Sequence, residues 1–251
     1  MRKYLMLTMA LGALIAVSVA GLATAAGEKP VTVEAGNLVF TFNGGFSPST
    51  LPKKKLAPIS LKASGAIKTK DGSHPPALKE VVLETDKNGA INTKGIPVCK
   101  SGALQSRDTG AAEKACKKSI IGTGKTTVEV AFPEQPPIDV NSKLIVFNGG
   151  TSGGKTTLYI HAYFSAPVTG AIVTTVKIKK VHNGRYGLKS VATIPKIAGG
   201  SGSVKTFNLA ITKKGVLTAK CPDGKLQAHA TSIFADGTKA SASIIRTCKG
   251  T

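Results

Sequence analysis

Apolar and polar residues alternate with a period of about two along most of this chain. Ile59-Ser-Leu-Lys-Ala-Ser-Gly-Ala-Ile67 reads as a half-buried strand, and so do Thr156-Thr-Leu-Tyr-Ile-His-Ala-Tyr-Phe164 and the final pair 225–234 and 238–246. Further β-type runs lie at 31–34, 37–42, 78–85, 126–132, 144–147, 172–181, 187–194, 204–211 and 216–220, rich in Val, Ile, Thr and aromatic residues. Five Asn-Gly or Asp-Gly pairs (Asp71-Gly72, Asn88-Gly89, Asn183-Gly184, Asp223-Gly224 and Asp236-Gly237) fall between such runs. These pairs tolerate positive φ and suit tight hairpins. The pattern predicts an all-β fold, an antiparallel β-sandwich of about a dozen strands.

One stretch departs from it. Asp108 or Thr109 is placed to cap a short helix through Ala111–Ala115, and Lys117 and Lys118 follow where they favour its C-terminal dipole. Cys99 and Cys116 flank this stretch, and Cys221 and Cys248 flank the region of the last hairpin. An even cysteine count beside an export signal reads as disulfides. The spacings do not suit zinc, which favours closely spaced cysteine pairs. Of the three connectivities that four cysteines allow, the local one, Cys99–Cys116 with Cys221–Cys248, is the expectation.

The first residues have the order of an export signal: basic Arg2 and Lys3, an apolar run to about Ala23, then Ala23-Thr24-Ala25 as a small-x-small cleavage site. The expected division is residues 1–25 as signal peptide and 26–251 as one β-sandwich domain, with an uncleaved membrane anchor as the alternative. The protein is thus expected to be secreted or held at the cell envelope.

Charge changes the picture more than composition does. The chain has 34 Lys and Arg; without Arg2 and Lys3, 32 basic residues stand against 13 acidic, a net +19. Net charge keeps exported domains apart, and it also attracts polyanions. Local density is highest at Lys53-Lys54-Lys55 and at Lys177-x-Lys179-Lys180, which makes these six the candidate contacts for an anionic polymer or membrane surface. With no Trp and 5% aromatic residues, the chain lacks the stacking platforms of dedicated nucleic-acid binders. The expectation is a diffuse cationic surface that reads charge without reading identity.

Three local motifs imitate catalysis, all in the glycine-rich stretch after Leu144-Ile-Val-Phe147. Gly149-x4-Gly154-Lys155-Thr156 fits a phosphate-binding loop. Gly150-Thr-Ser-Gly-Gly154 fits the nucleophile-elbow pattern and resembles the serine motif of chymotrypsin-like proteases. The first two need a helix after the glycines, and the residues from Thr156 onward alternate as a strand. Nucleotide binding is therefore not expected. The protease reading survives that objection. It would centre on Ser152, with His74 as base and Asp86, Asp108 or Asp139 as orienter.

His161 shares a strand parity with Thr157, Tyr159 and Tyr163, a set that reads as a cross-strand cluster under a loop. No pair of carboxylates is placed for acid–base work, and no metal or cofactor site is expected. The order Phe46-x-Pro-x-x-Leu-Pro-Lys-Lys54, Asp71-Gly-Ser-His-Pro-Pro76, Ile96-Pro-Val-Cys99 and Cys221-Pro-Asp-Gly-Lys-Leu226 resembles a group of exported, β-rich bacterial proteins. The resemblance implies export and disulfides, and it carries no activity. The expected function is that of a non-enzymatic structural or binding protein, with a serine hydrolase centred on Ser152 as the alternative.

Overall fold

A computed structural model describes residues 29–251, so the expected signal peptide, residues 1–25, lies outside the described residues. The predicted strands form, and several run longer than their alternation shows. In order they are β1 (Val31–Ala35), β2 (Leu38–Ser47), β3 (Thr50–Leu51), β4 (Ala57–Thr69), β5 (Leu78–Asp86) and β6 (Gly89–Ile91). After helix α1 (Thr109–Cys116) come β7 (Ile120–Phe132), β8 (Gln135–Ser152), β9 (Lys155–Phe164), β10 (Gly170–Asn183) and β11 (Tyr186–Thr193). The chain ends with β12 (Gly202–Ile211), β13 (Leu217–Ala219), β14 (Lys225–Phe234), β15 (Lys239–Thr247) and β16 (Lys249–Gly250).

The expected antiparallel all-β architecture with one short disulfide-bounded helix is what these elements build. Its layers belong to one main sheet, ordered β1-β2-β4-β12-β7-β8-β9-β10-β11-β5-β14-β15, in which every ladder is antiparallel, while β3 and β16 form a separate parallel pair. The sheet curls until β1 lies against β15, which brings it close to a barrel. No ladder joins those two strands among the described residues. A side branch, β4-β13-β6, crosses one end of the roll.

The interior follows the predicted parity. Leu38, Phe40 and Phe42 of β2 meet Ile67, Ala230, Phe234, Ala240 and Ile244 in one buried cluster. Leu144 and Val146 of β8 face the same interior with Val128, Phe164 and Val176, while Ile145 and Phe147 point the other way. Those two are fully buried all the same, because residues 99–116 fold over the outside of β8 and β9. A strand covered on both faces reads as an unbroken apolar run, which is why 144–147 does not alternate.

The covering segment is tied down at several points. Asp108 caps α1, its side chain accepting from Ala111 N–H at 2.8 Å. Cys99 and Cys116 are bonded, as are Cys221 and Cys248, and no described cysteine is free. Two such bonds suit an oxidising compartment. Asn148 donates to the carbonyls of Ile96 and Pro97 at 2.9 and 3.2 Å, which sets the height of the segment above the sheet.

Candidate functional site

The register puts two groups of turns at opposite ends of the roll. At one end lie the β8–β9 hairpin, the β10–β11 hairpin, the finish of β5 and the start of β4, since Ser152 pairs with Lys155, Lys155 with Lys179, and Asp86 with Tyr186. At the other lie the finish of β4, the start of β5 and the start of β12, where Gly202 pairs with Val130.

This arrangement separates Ser152 from His74. Ser152 stands exposed at a hairpin tip at the first end, and His74 precedes β5 at the second. The three aspartates proposed to orient His74 are engaged elsewhere: Asp86 with Arg185, Asp108 at the helix cap and Asp139 with Lys205. The glycines between β8 and β9 form a two-residue turn, with Gly153 and Gly154 at φ 55° and 73°. Such values suit a primed hairpin turn, and a strand follows where a phosphate loop or elbow requires a helix.

His74 instead meets a serine that sequence reasoning missed. Its Nε2 lies 3.1 Å from Ser203 Oγ and its Nδ1 lies 2.8 Å from Glu129 Oε1. The wiring imitates a Ser-His-acid triad, yet the protons are distributed differently. Ser203 donates its hydroxyl proton to the Pro75 carbonyl at 2.5 Å, and Ser203 is only 1% exposed. Nε2 therefore faces the Ser203 oxygen and not its proton, and Nδ1 faces the Glu129 carboxylate.

Glu129 also accepts from Lys205 at 3.0 Å. Burial pushes its carboxyl up, but the bonds from His74 and Lys205 outweigh this and hold it below its ordinary value. Hydrogen bonds to Asp139 and Glu129 in turn raise Lys205. This cluster fastens the 71–77 loop to β7 and β12.

The first end holds a large groove of about 1450 Å³. Lys54 and Lys55 enter it from the segment before β4, Lys87 from the turn after β5, and Lys94 from the loop after β6. Lys179 and Lys180 come from the end of β10 and Lys220 from just beyond β13. No Asp or Glu lines the groove, and none of these seven lysines is ion-paired among the described residues. Thr93, Thr151 and Thr156 add hydroxyls on one wall, joined through Thr151 at 3.3 and 3.0 Å.

Four of the six candidate lysines, Lys54, Lys55, Lys179 and Lys180, thus meet in one concavity. Lys53 and Lys177 are exposed outside it. The sequence reading missed Lys87, Lys94 and Lys220, each isolated among other residue types. Behind the groove, Asp86 is buried and accepts from Arg185 Nε at 2.6 Å and from Asn88. Arg185 also binds Asp223, whose hydrogen bond is the main cause of a raised guanidinium pKa. The paired acids therefore sit outside the lysine cluster and leave its charge uncompensated.

His161 is buried under the covering segment, with Nε2–H donating to the Arg107 carbonyl at 2.9 Å and Nδ1 lacking a partner among the described residues. It is part of a cross-strand cluster beneath a loop, as its parity suggested. A scan against protein-family models finds none that matches this chain, and a search of curated proteins finds no match either.

Proposed function

We propose that this chain is an exported, non-enzymatic binding protein that holds a multiply anionic ligand in the lysine groove. The observation that carries the reading is the convergence of seven lysines, from five separate segments, on a concavity without a carboxylate. Cations gathered in a cleft focus their field and raise the local concentration of anions. Lysines bind phosphate and sulfate as point charges, without the bidentate geometry that reads identity. The groove therefore selects for charge density rather than for one polymer.

Titration with a heparin oligosaccharide across a salt series tests this. Each phosphate-like charge neutralised contributes about −0.9 to the slope of log affinity against log salt, by analogy with duplex DNA. Replacing Lys55, Lys179 and Lys180 together by Ala should cut the slope and weaken binding, whereas replacing Lys53 and Lys177 should change little. Equal effects from the two sets would return the charge to a diffuse surface and overturn the groove.

A further inference from the structure

A half-open apolar pocket of about 140 Å³ enters the roll beside the lysine groove. Phe42, Leu83, Leu217, Leu226 and Ile244 line it, and the two spaces share Gly89, Ala90 and Leu188 as a common wall. The void has a sequence origin. The inward positions of β2, β4 and β14 at this end carry Gly44, Ala63 and Ala228, so no side chain fills the centre. A Cβ placed on Gly44 would meet nothing closer than 3.5 Å.

The two ends of the interior differ accordingly. At the far end Leu38, Phe40, Ile67 and Phe234 are between 1% and 3% exposed. Near the groove Ile59, Leu61, Leu83, Leu217 and Leu226 remain only half-buried. An apolar void forfeits the contacts its lining would otherwise make. A half-open pocket with so apolar a surface suits an apolar guest; an enclosed engineered cavity of about 150 Å³ accepts benzene.

Resting on the reading of the groove as an anion site, we infer that its ligand is an anionic lipid: a phosphate or sulfate head group among the lysines, with alkyl chain entering the cavity past Gly89, Ala90 and Leu188. A hydrophilic polyanion uses the groove alone. An anion joined to an alkyl chain uses both spaces, which meet at Gly89, Ala90 and Leu188.

The test uses alkyl phosphates from ethyl to dodecyl, titrated by calorimetry below their micelle concentrations, with pyrophosphate and a heparin hexasaccharide as chainless controls. Affinity should rise about fourfold per added methylene and level off once about six carbons are buried. Ala228→Leu, which fills the cavity without touching the groove, should abolish that rise and leave heparin binding unchanged. Lys179→Ala with Lys180→Ala should weaken every ligand. The chain-length series needs only the unaltered protein, so it decides the question even where a variant folds poorly. A flat series with lysine-dependent heparin binding overturns the lipid inference and leaves the groove standing. A steep series indifferent to the lysines overturns both.

Discussion

Arg246 Nε donates to the Gly44 carbonyl at 2.5 Å, a bond from the last long strand to the second. Its guanidinium also reaches Asn43 Oδ1 at 2.8 Å. Among the described residues no ladder joins β15 to β2, so this side chain carries polar contact across the place where the roll meets itself. Arg246→Ala should lower stability by about 1 kcal/mol, since the acceptor it leaves is only part-buried. Urea unfolding of the purified variant measures it, and a change below 0.5 kcal/mol, typical of surface substitutions, would show that the contact contributes nothing.

His161 should make the protein acid-sensitive. Burial is the largest cause of its lowered pKa; the bond to Arg107 and the charges of Asp108 and Glu113 oppose it without cancelling it. In the unfolded chain the imidazole takes its proton near pH 6.5, while the folded protein refuses it until the pH is lower. The unfolded state then binds more protons, so stability is complete above that pH and falls as pH drops through the window below it. The slope of stability against pH between about 6.5 and 5 should flatten in His161→Gln. An identical slope in the variant would assign the acid response to other groups.

Glu129 adds a second acid response at lower pH. Its carboxyl is held below the ordinary 4.5 in the folded protein, so its contribution is present above that value and disappears as pH falls through the depressed one. Glu129→Gln should remove this component and leave the window of His161 untouched. Fluorescence-detected unfolding at pH 5 and pH 3 separates the two.

The Cys99–Cys116 bond should contribute about 3 kcal/mol in the chain-entropy account, given a separation of 17 residues. Cys99→Ala with Cys116→Ala should also expose Ile145, Phe147 and His161. Hydrogen exchange ought therefore to speed up in β8 and β9 before it does in β14. Uniform acceleration across the sheet would mean that the segment is not a separate cover.

Lys155 offers a control for the groove. It stands beside the hairpin that imitates a phosphate loop, exposed and outside the groove lining. Lys155→Ala should leave stability within about 0.5 kcal/mol and anion affinity unchanged, while Lys179→Ala weakens binding. Micromolar ATP binding that vanishes in Lys155→Ala would restore the phosphate-loop reading.

Legibility in the sequence tracked the range of the physics. Period-two alternation and Asn/Asp-Gly turns are local, and they placed β4, β9, β14 and β15 within a few residues. The helix was legible for the same reason, because Asp108 caps it only three residues away. Short β3, β6 and β16 carry too few residues for a period, and they exist through partners far along the chain. The lysine groove was half legible. Clusters at 53–55 and 177–180 show as runs, but Lys87, Lys94 and Lys220 join them only through topology. Counting strand directions from turn to turn would have put Lys87, just after β5, at the same end of the roll as Lys180, near the finish of β10. The pairing of His74 with Ser203, 129 residues away, had no local signal at all.

The meeting of β1 and β15 has a consequence for how the protein fails. A sheet with two ends has two edge strands, and an exposed edge is a template for another chain. Here each edge shelters the other, so the roll keeps its adhesive borders out of reach without completing a barrel. Weakening this seam would release both borders at once. The damaged molecule would then meet its copies edge to edge and grow by strand addition, and its defect would appear as polymer before it appeared as unfolded chain.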